Sequence, residues 1–84
     1  MEVTMSSGTA LIDPENTFGG KRIFVQGERT FGGFLFFADT LTWIERGADG
    51  IEKARYVSEE ERTHVIAFLK NEASTPNCKF DRWV

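Results

Sequence analysis

Ser58-Glu59-Glu60-Glu61-Arg62-Thr63-His64-Val65-Ile66-Ala67-Phe68-Leu69-Lys70-Asn71-Glu72-Ala73 is the stretch on which the fold turns. Val65, Ile66, Phe68, Leu69 and Ala73 recur at helical spacing, with Thr63, Lys70 and Asn71 opposite them. Ser58 and Glu61 stand in the spacing of a capping box. The hydroxyl accepts from the Glu61 amide while the carboxylate reaches back to the Ser58 amide. Three glutamates in the first turn suit the positive end of the helix dipole. Ser74-Thr75-Pro76-Asn77 ends the segment, because proline cannot continue a helix. The pattern predicts one amphipathic helix over residues 58–73.

The rest of the chain reads as short strands. Val3, Met5, Ala10, Leu11 and Ile12 supply one or two, with turns at Ser6-Ser7-Gly8 and Asp13-Pro14-Glu15-Asn16. Residues 21–26 form a strand with Ile23 and Val25 on one face, and Gly27-Glu28 then reads as a tight turn. Residues 29–38 follow as the expected central strand, and residues 41–45 and 54–57 as further strands. Residues 78–84 form a final one. Short strands joined by glycine turns and followed by one helix predict an α+β domain. It is a curved antiparallel meander of about four to six strands with the helix packed on one face near the C-terminus.

Phe34-Leu35-Phe36-Phe37 does not fit a sheet with one dry face. Alternate side chains point to opposite faces, so this strand is apolar on both. Thr42 and Ile44 oppose Leu41 and Trp43 in a milder form of the same conflict. Either a terminal segment curls over the second face, or that face is an interface for a second copy or a partner. Arg62 falls within the apolar stripe of the helix. Its stem lies on the sheet with the guanidinium reaching water, or it pairs with a carboxylate such as Glu45 or Glu52.

Eighty-four residues make a single domain, 1–84, with a small core that its eight Phe and two Trp enlarge. The net charge is −3, and the acid surplus lies in residues 1–45, which hold six acids and three bases. That distribution disfavours nucleic acid, which calls for a basic stripe, and suits a basic partner. One cysteine, Cys78, precludes an internal disulfide, and no Cys/His cluster has metal spacing. No apolar run approaches a membrane span and no secretory signal opens the chain, so the cytoplasm is the expected compartment.

Chemistry finds little to work with. His64, the one histidine, lies toward the polar side of the helix, and Cys78 has no base beside it but Lys79. The glycines among the strands precede no helix start that would aim amides at a phosphate, and Gly32-Gly33 reads as a bend or bulge. Neither a catalytic residue, a metal ligand nor a cofactor is expected. The residues point to a non-catalytic binding module.

The order Val25-Gln26-Gly27-Glu28, Gly33-Phe34, Trp43-Ile44-Glu45, Ser58-Glu59-Glu60-Glu61-Arg62 and Val65-Ile66 resembles the small immunity proteins of bacterial polymorphic toxin systems, in particular the group numbered 74. The resemblance spans residues 20–82. It implies a cytoplasmic antidote that binds and neutralises a cognate toxin, with a basic toxin domain as partner. Phe34, Phe36 and Trp43 would be its anchors, and Glu28, Asp39 and Glu45 its charged rim. The alternative is a homodimeric sheet-and-helix module of the kind that binds single-stranded nucleic acid, an activity the charge argues against.

Overall fold

The computed structural model describes residues 1–72, 80 and 82–84. Six strands and one helix follow in chain order. They are β1 (Glu2–Ser6), β2 (Thr9–Asp13), β3 (Arg22–Thr30), β4 (Gly33–Phe36), β5 (Thr42–Arg46), β6 (Glu52–Tyr56) and α1 (Glu59–Glu72). All strand pairs in the sheet are antiparallel, and the order across it is β1-β2-β3-β5-β6, with β4 also on β3. The α+β architecture is the one the helical stripe and the glycine-punctuated strands predict. No helix among the described residues is long and apolar enough to cross a membrane.

β3 is the spine. Its first half is sandwiched between β2 and β5, and its second half pairs with β4. The expectation of a turn at Gly27-Glu28 is corrected here, because both residues lie inside β3. The reason is steric. Gly27 faces Phe36 across the ladder, and a Cβ on it would sit 2.5 Å from the Leu35 carbonyl oxygen. The glycine permits a close approach of strands instead of a reversal. Likewise, residues 29–38 do not form the central strand. The chain turns at Phe31-Gly32, where Gly32 takes φ +89°, and returns as the short β4.

β4 and β5 run along the same flank of β3 as one interrupted strand. Gly27 is opposite Phe36, and Phe24 is opposite Thr42, so three steps along β3 match six along its neighbour. The extra residues loop out as a 3₁₀ turn at Ala38–Thr40. Thr40 closes the gap, its Oγ1 accepting from the Gln26 amide at 2.9 Å and donating to the Phe37 carbonyl at 2.6 Å. An odd number of extra residues reverses the side-chain alternation. That is how Phe34 and Phe36 in β4, and Leu41 and Trp43 around β5, all come to the core side.

The core joins Ala10, Ile12, Ile23, Val25, Phe36, Leu41, Trp43 and Val57 of the sheet side to Val65 and Leu69 of α1 and to Phe80. α1 delivers the apolar stripe that the sequence predicts. Phe18, in the loop after β2, bridges helix and sheet, with its ring 5.2 Å from Trp43 and 5.1 Å from Phe68. The C-terminal residues lie alongside β4. Phe36 N–H donates to Arg82 O at 2.8 Å and Val84 N–H to Phe36 O at 2.9 Å, making a parallel bridge between Phe36 and Trp83. Phe80 and Trp83 stack over Phe36 at 4.9 and 5.3 Å. Of the final strand expected at residues 78–84, an isolated bridge at Trp83 is present, while residues 73–79 with Ala73 and Cys78, and Asp81, lie outside the described residues.

The cap forms as the sequence predicts. Glu61 N–H donates to Ser58 Oγ and Ser58 N–H donates to Glu61 Oε1, both at 3.2 Å. Replacing Ser58 with Ala removes one of these bonds and should lower stability by about 0.5–2 kcal/mol, read as a lower urea midpoint at unchanged m-value. An unchanged midpoint refutes the assignment.

Candidate functional site

The core side of the sheet is covered by α1 and by the C-terminal residues. The other side is open among the described residues, and cross-strand register assembles its surface. Thr4, Leu11, Phe24, Thr42 and Tyr56 stand opposite one another in a continuous row across β1, β2, β3, β5 and β6. Beside it, Arg22, Ile44 and Ala54 form a second row. Phe24, Ile44, Ala54 and Tyr56 with Thr40 and Thr42 line a shallow depression of ≈ 430 Å³. Leu11, Phe24 and Ile44 are half-buried by their neighbours, whereas Tyr56 is 73% exposed.

Charge borders this apolar strip at one end. Glu52 takes ion pairs from Arg22 and, at 3.4 Å, from Arg46. Glu2 and Asp13 face each other at the β1 side. The border therefore mixes both signs. A single-stranded nucleic acid calls for exposed aromatics flanked by bases, and this mixture does not supply them.

The six residues expected to meet a partner do not gather in one patch. Phe36 and Trp43 are each 2% exposed and belong to the core, which corrects their reading as surface anchors. The physical reason is the reversal at the 3₁₀ turn together with the cover each ring receives, Phe36 from Phe80 and Trp83 and Trp43 from Phe18. Phe34 is half-buried on the same side, 6.2 Å from Phe36, with the Arg29 guanidinium 5.3 Å above its ring. Glu45 lies on the core side too. Glu28 is exposed on the open face opposite Leu35, and Asp39 is exposed in the 3₁₀ turn.

Glu45, Ser58 and Glu61 do come together, in a chain of charges at the helix start. Lys21 Nζ is 3.6 Å from Glu45, Arg55 is 3.5 Å from Glu45, and Arg55 is 3.4 Å from Glu61. Lys21 also lies 5.2 Å over the Trp43 ring. Glu45 is thus engaged by Lys21 and Arg55, and Glu52 by Arg22 and Arg46, so neither expected carboxylate holds Arg62. Arg62 Nε is buried without a hydrogen-bond partner among the described residues. These pairs are half-exposed, so each is worth only about 0–1 kcal/mol.

Within this chain Glu61 is held from its usual 4.5 down to about 2. The Ser58 amide is the main cause and the Ser58 hydroxyl the next. The Trp43 indole, which lies near without meeting hydrogen-bond geometry, and Arg55 add to it. A carboxylate depressed in the folded state stabilises the fold above its unfolded value and loses that contribution as pH falls through its folded value. Glu61→Gln should therefore be less stable than the parent above pH 4.5, with the two thermal midpoints converging as pH falls toward about 2. A gap that does not change with pH refutes the role.

His64 is exposed on α1. Among the described residues no three His, Cys, Asp or Glu side chains cluster in a way that could hold a metal ion. Sequence reasoning places Ile44 on the face opposite Trp43 but misses Leu11, Phe24 and Tyr56 as parts of the same surface. The available signal was the parity of Phe24 between Ile23 and Val25. Comparison with protein-family models, with curated proteins and with solved structures finds no match for the chain.

Proposed function

We propose that this chain is a non-catalytic domain whose work is to bind another protein. The observation that carries the reading is the open sheet face. A row of Thr4, Leu11, Phe24, Thr42 and Tyr56 crosses five strands, with Ile44 and Ala54 beside it and a border of mixed charge. An apolar strip with a polar rim is the composition of a protein-protein contact. Neutralisation of a bacterial toxin, the role the resemblance implies, is one form of this function. The open face then takes the place of Phe36 and Trp43 as the surface that meets the toxin.

Cross-linking of the chain in the cells that make it, followed by gel filtration without denaturant, tests the reading. A stoichiometric protein partner whose cross-links map to the open face supports it. A chain that elutes alone at its cellular concentration, and that turns over a substrate when purified, overturns it. For the antidote form, the product of a neighbouring gene should arrest growth when expressed alone, and co-expression of this chain should restore it.

A further inference from the structure

β6 ends the sheet, and all five of its residues are exposed. The exposure of Lys53 and Arg55 places β6 beyond the cover that α1 gives the core. The ladder with β5 shows which backbone groups are free. Gly47 N–H donates to Ile51 O, and Val57 N–H donates to Leu41 O, both at 2.9 Å. In an antiparallel pair, residues that exchange hydrogen bonds alternate with residues that do not. Ile51, Lys53, Arg55 and Val57 therefore turn their amides and carbonyls toward β5. Glu52, Ala54 and Tyr56 turn theirs outward, where no strand among the described residues meets them. Such an edge is a template for one more strand.

The side chains decide which strand. A two-fold axis that joins β6 to its own copy antiparallel runs perpendicular to the sheet and keeps one face up in both copies. Only residues of like parity then face each other. Centred on Lys53, Ala54 or Arg55, the pairing sets Lys53 or Arg55 against Lys53 or Arg55. Centred on Glu52, it sets that carboxylate against itself. Like charges directly opposite are destabilising. Only the register centred on Tyr56 avoids this, and it pairs just Ala54, Arg55 and Tyr56 of the strand, so the edge disfavours a second copy along its length. Glu52 is already engaged by Arg22 and Arg46, and Arg55 by Glu45 and Glu61, while Lys53 forms no ion pair among the described residues. On the opposite parity, Ala54 and Tyr56 line the shallow depression of the open face.

We propose that β6 docks an extended segment of another protein that alternates acidic and apolar side chains, an acid beside Lys53 and the apolar residues beside Ala54 and Tyr56. The proposal rests on the reading of the chain as a protein-binding domain and gives that partner its chemistry. The backbone of Glu52, Ala54 and Tyr56 supplies the hydrogen bonds. The depression receives the apolar side chains, and Lys53 selects against basic strands.

Titration of the ¹⁵N-labelled chain with two blocked synthetic peptides of equal length, one alternating Glu and Val and one alternating Lys and Val, tests this. The Glu-Val peptide should shift the amide signals of Glu52, Ala54 and Tyr56 and bind about tenfold more tightly than the Lys-Val peptide, with the preference shrinking as salt is raised. Ala54→Pro removes an outward donor and leaves the β5 ladder intact, so it should abolish binding in a folded chain. Lys53→Glu should turn the preference toward the Lys-Val peptide. Equal binding of both peptides, shifts that map elsewhere, or unimpaired binding by folded Ala54→Pro overturns the proposal. So does a chain that sediments as a dimer with protected β6 amides before any peptide is added. If Ala54→Pro still captures the cross-linked partner described above, the docking edge falls and the protein-binding reading stands. If neither peptide nor partner binds, both fall.

Discussion

Phe36→Ala is expected to leave a large share of the molecules unfolded at room temperature. Phe36 is 2% exposed and sits at the centre of a cluster with Phe34, Phe80 and Trp83. Truncating a buried Phe removes its transfer free energy and leaves a cavity, together about 3–5 kcal/mol. Native domains are stable by only about 5–15 kcal/mol, and a chain this short belongs near the lower bound. Urea denaturation should show the midpoint collapse. Phe36→Leu, which keeps most of the volume, should cost far less. A midpoint for Phe36→Ala within error of the parent would mean that the ring cluster is not part of the cooperative core.

Gly27→Ala should cost about 1–3 kcal/mol, a large penalty for adding one methyl group. Its Cβ would meet the Leu35 carbonyl oxygen at 2.5 Å and the Phe36 Cα at 3.3 Å, and backbone cannot step aside as a side chain can. The hairpin of β3 and β4 would have to open. Gly33→Ala is the control in the same hairpin. There the new Cβ finds only the Arg82 side chain, at 3.7 Å or more. Thermal midpoints of the two variants should differ clearly, and equal midpoints would remove the steric account of Gly27.

These two positions also show where the sequence was readable. Ser58 and Glu61 are legible because a cap is settled within four residues. The helical stripe and the existence of strands are legible because each is a local period. Gly27 was misread as a turn because a lone Gly-Glu pair carries the turn signal. The demand that overrides it, room for the returning β4 backbone, comes from Leu35 and Phe36. The 3₁₀ turn at Ala38–Thr40 left no signal either, and without it the alternation from Phe34 to Trp43 places side chains on the wrong faces. The run Phe34 to Phe37 calls for cover on both sides of the sheet, and the described residues supply it on the core side. That Phe80 and Trp83 return to supply it for Phe36 is a contact between distant parts of the chain, which no window reveals. The open face was hidden for a related reason. Leu11, Phe24 and Tyr56 are unremarkable alone and become a surface only when register sets them side by side.

The pairing of Arg82–Val84 with Phe36 has a consequence for biosynthesis. A chain leaves the ribosome N-terminus first. β1 to β6 and α1 are all outside before the residues that cover β4 have emerged. Until then Phe36 lacks the rings of Phe80 and Trp83, and one edge of β4 lacks its backbone partner. The core is complete only once Phe80 and Trp83 have emerged. A stalled or nicked chain that lacks Phe80 to Val84 displays an aromatic, unpaired edge, the kind of surface that chaperones and proteases take up.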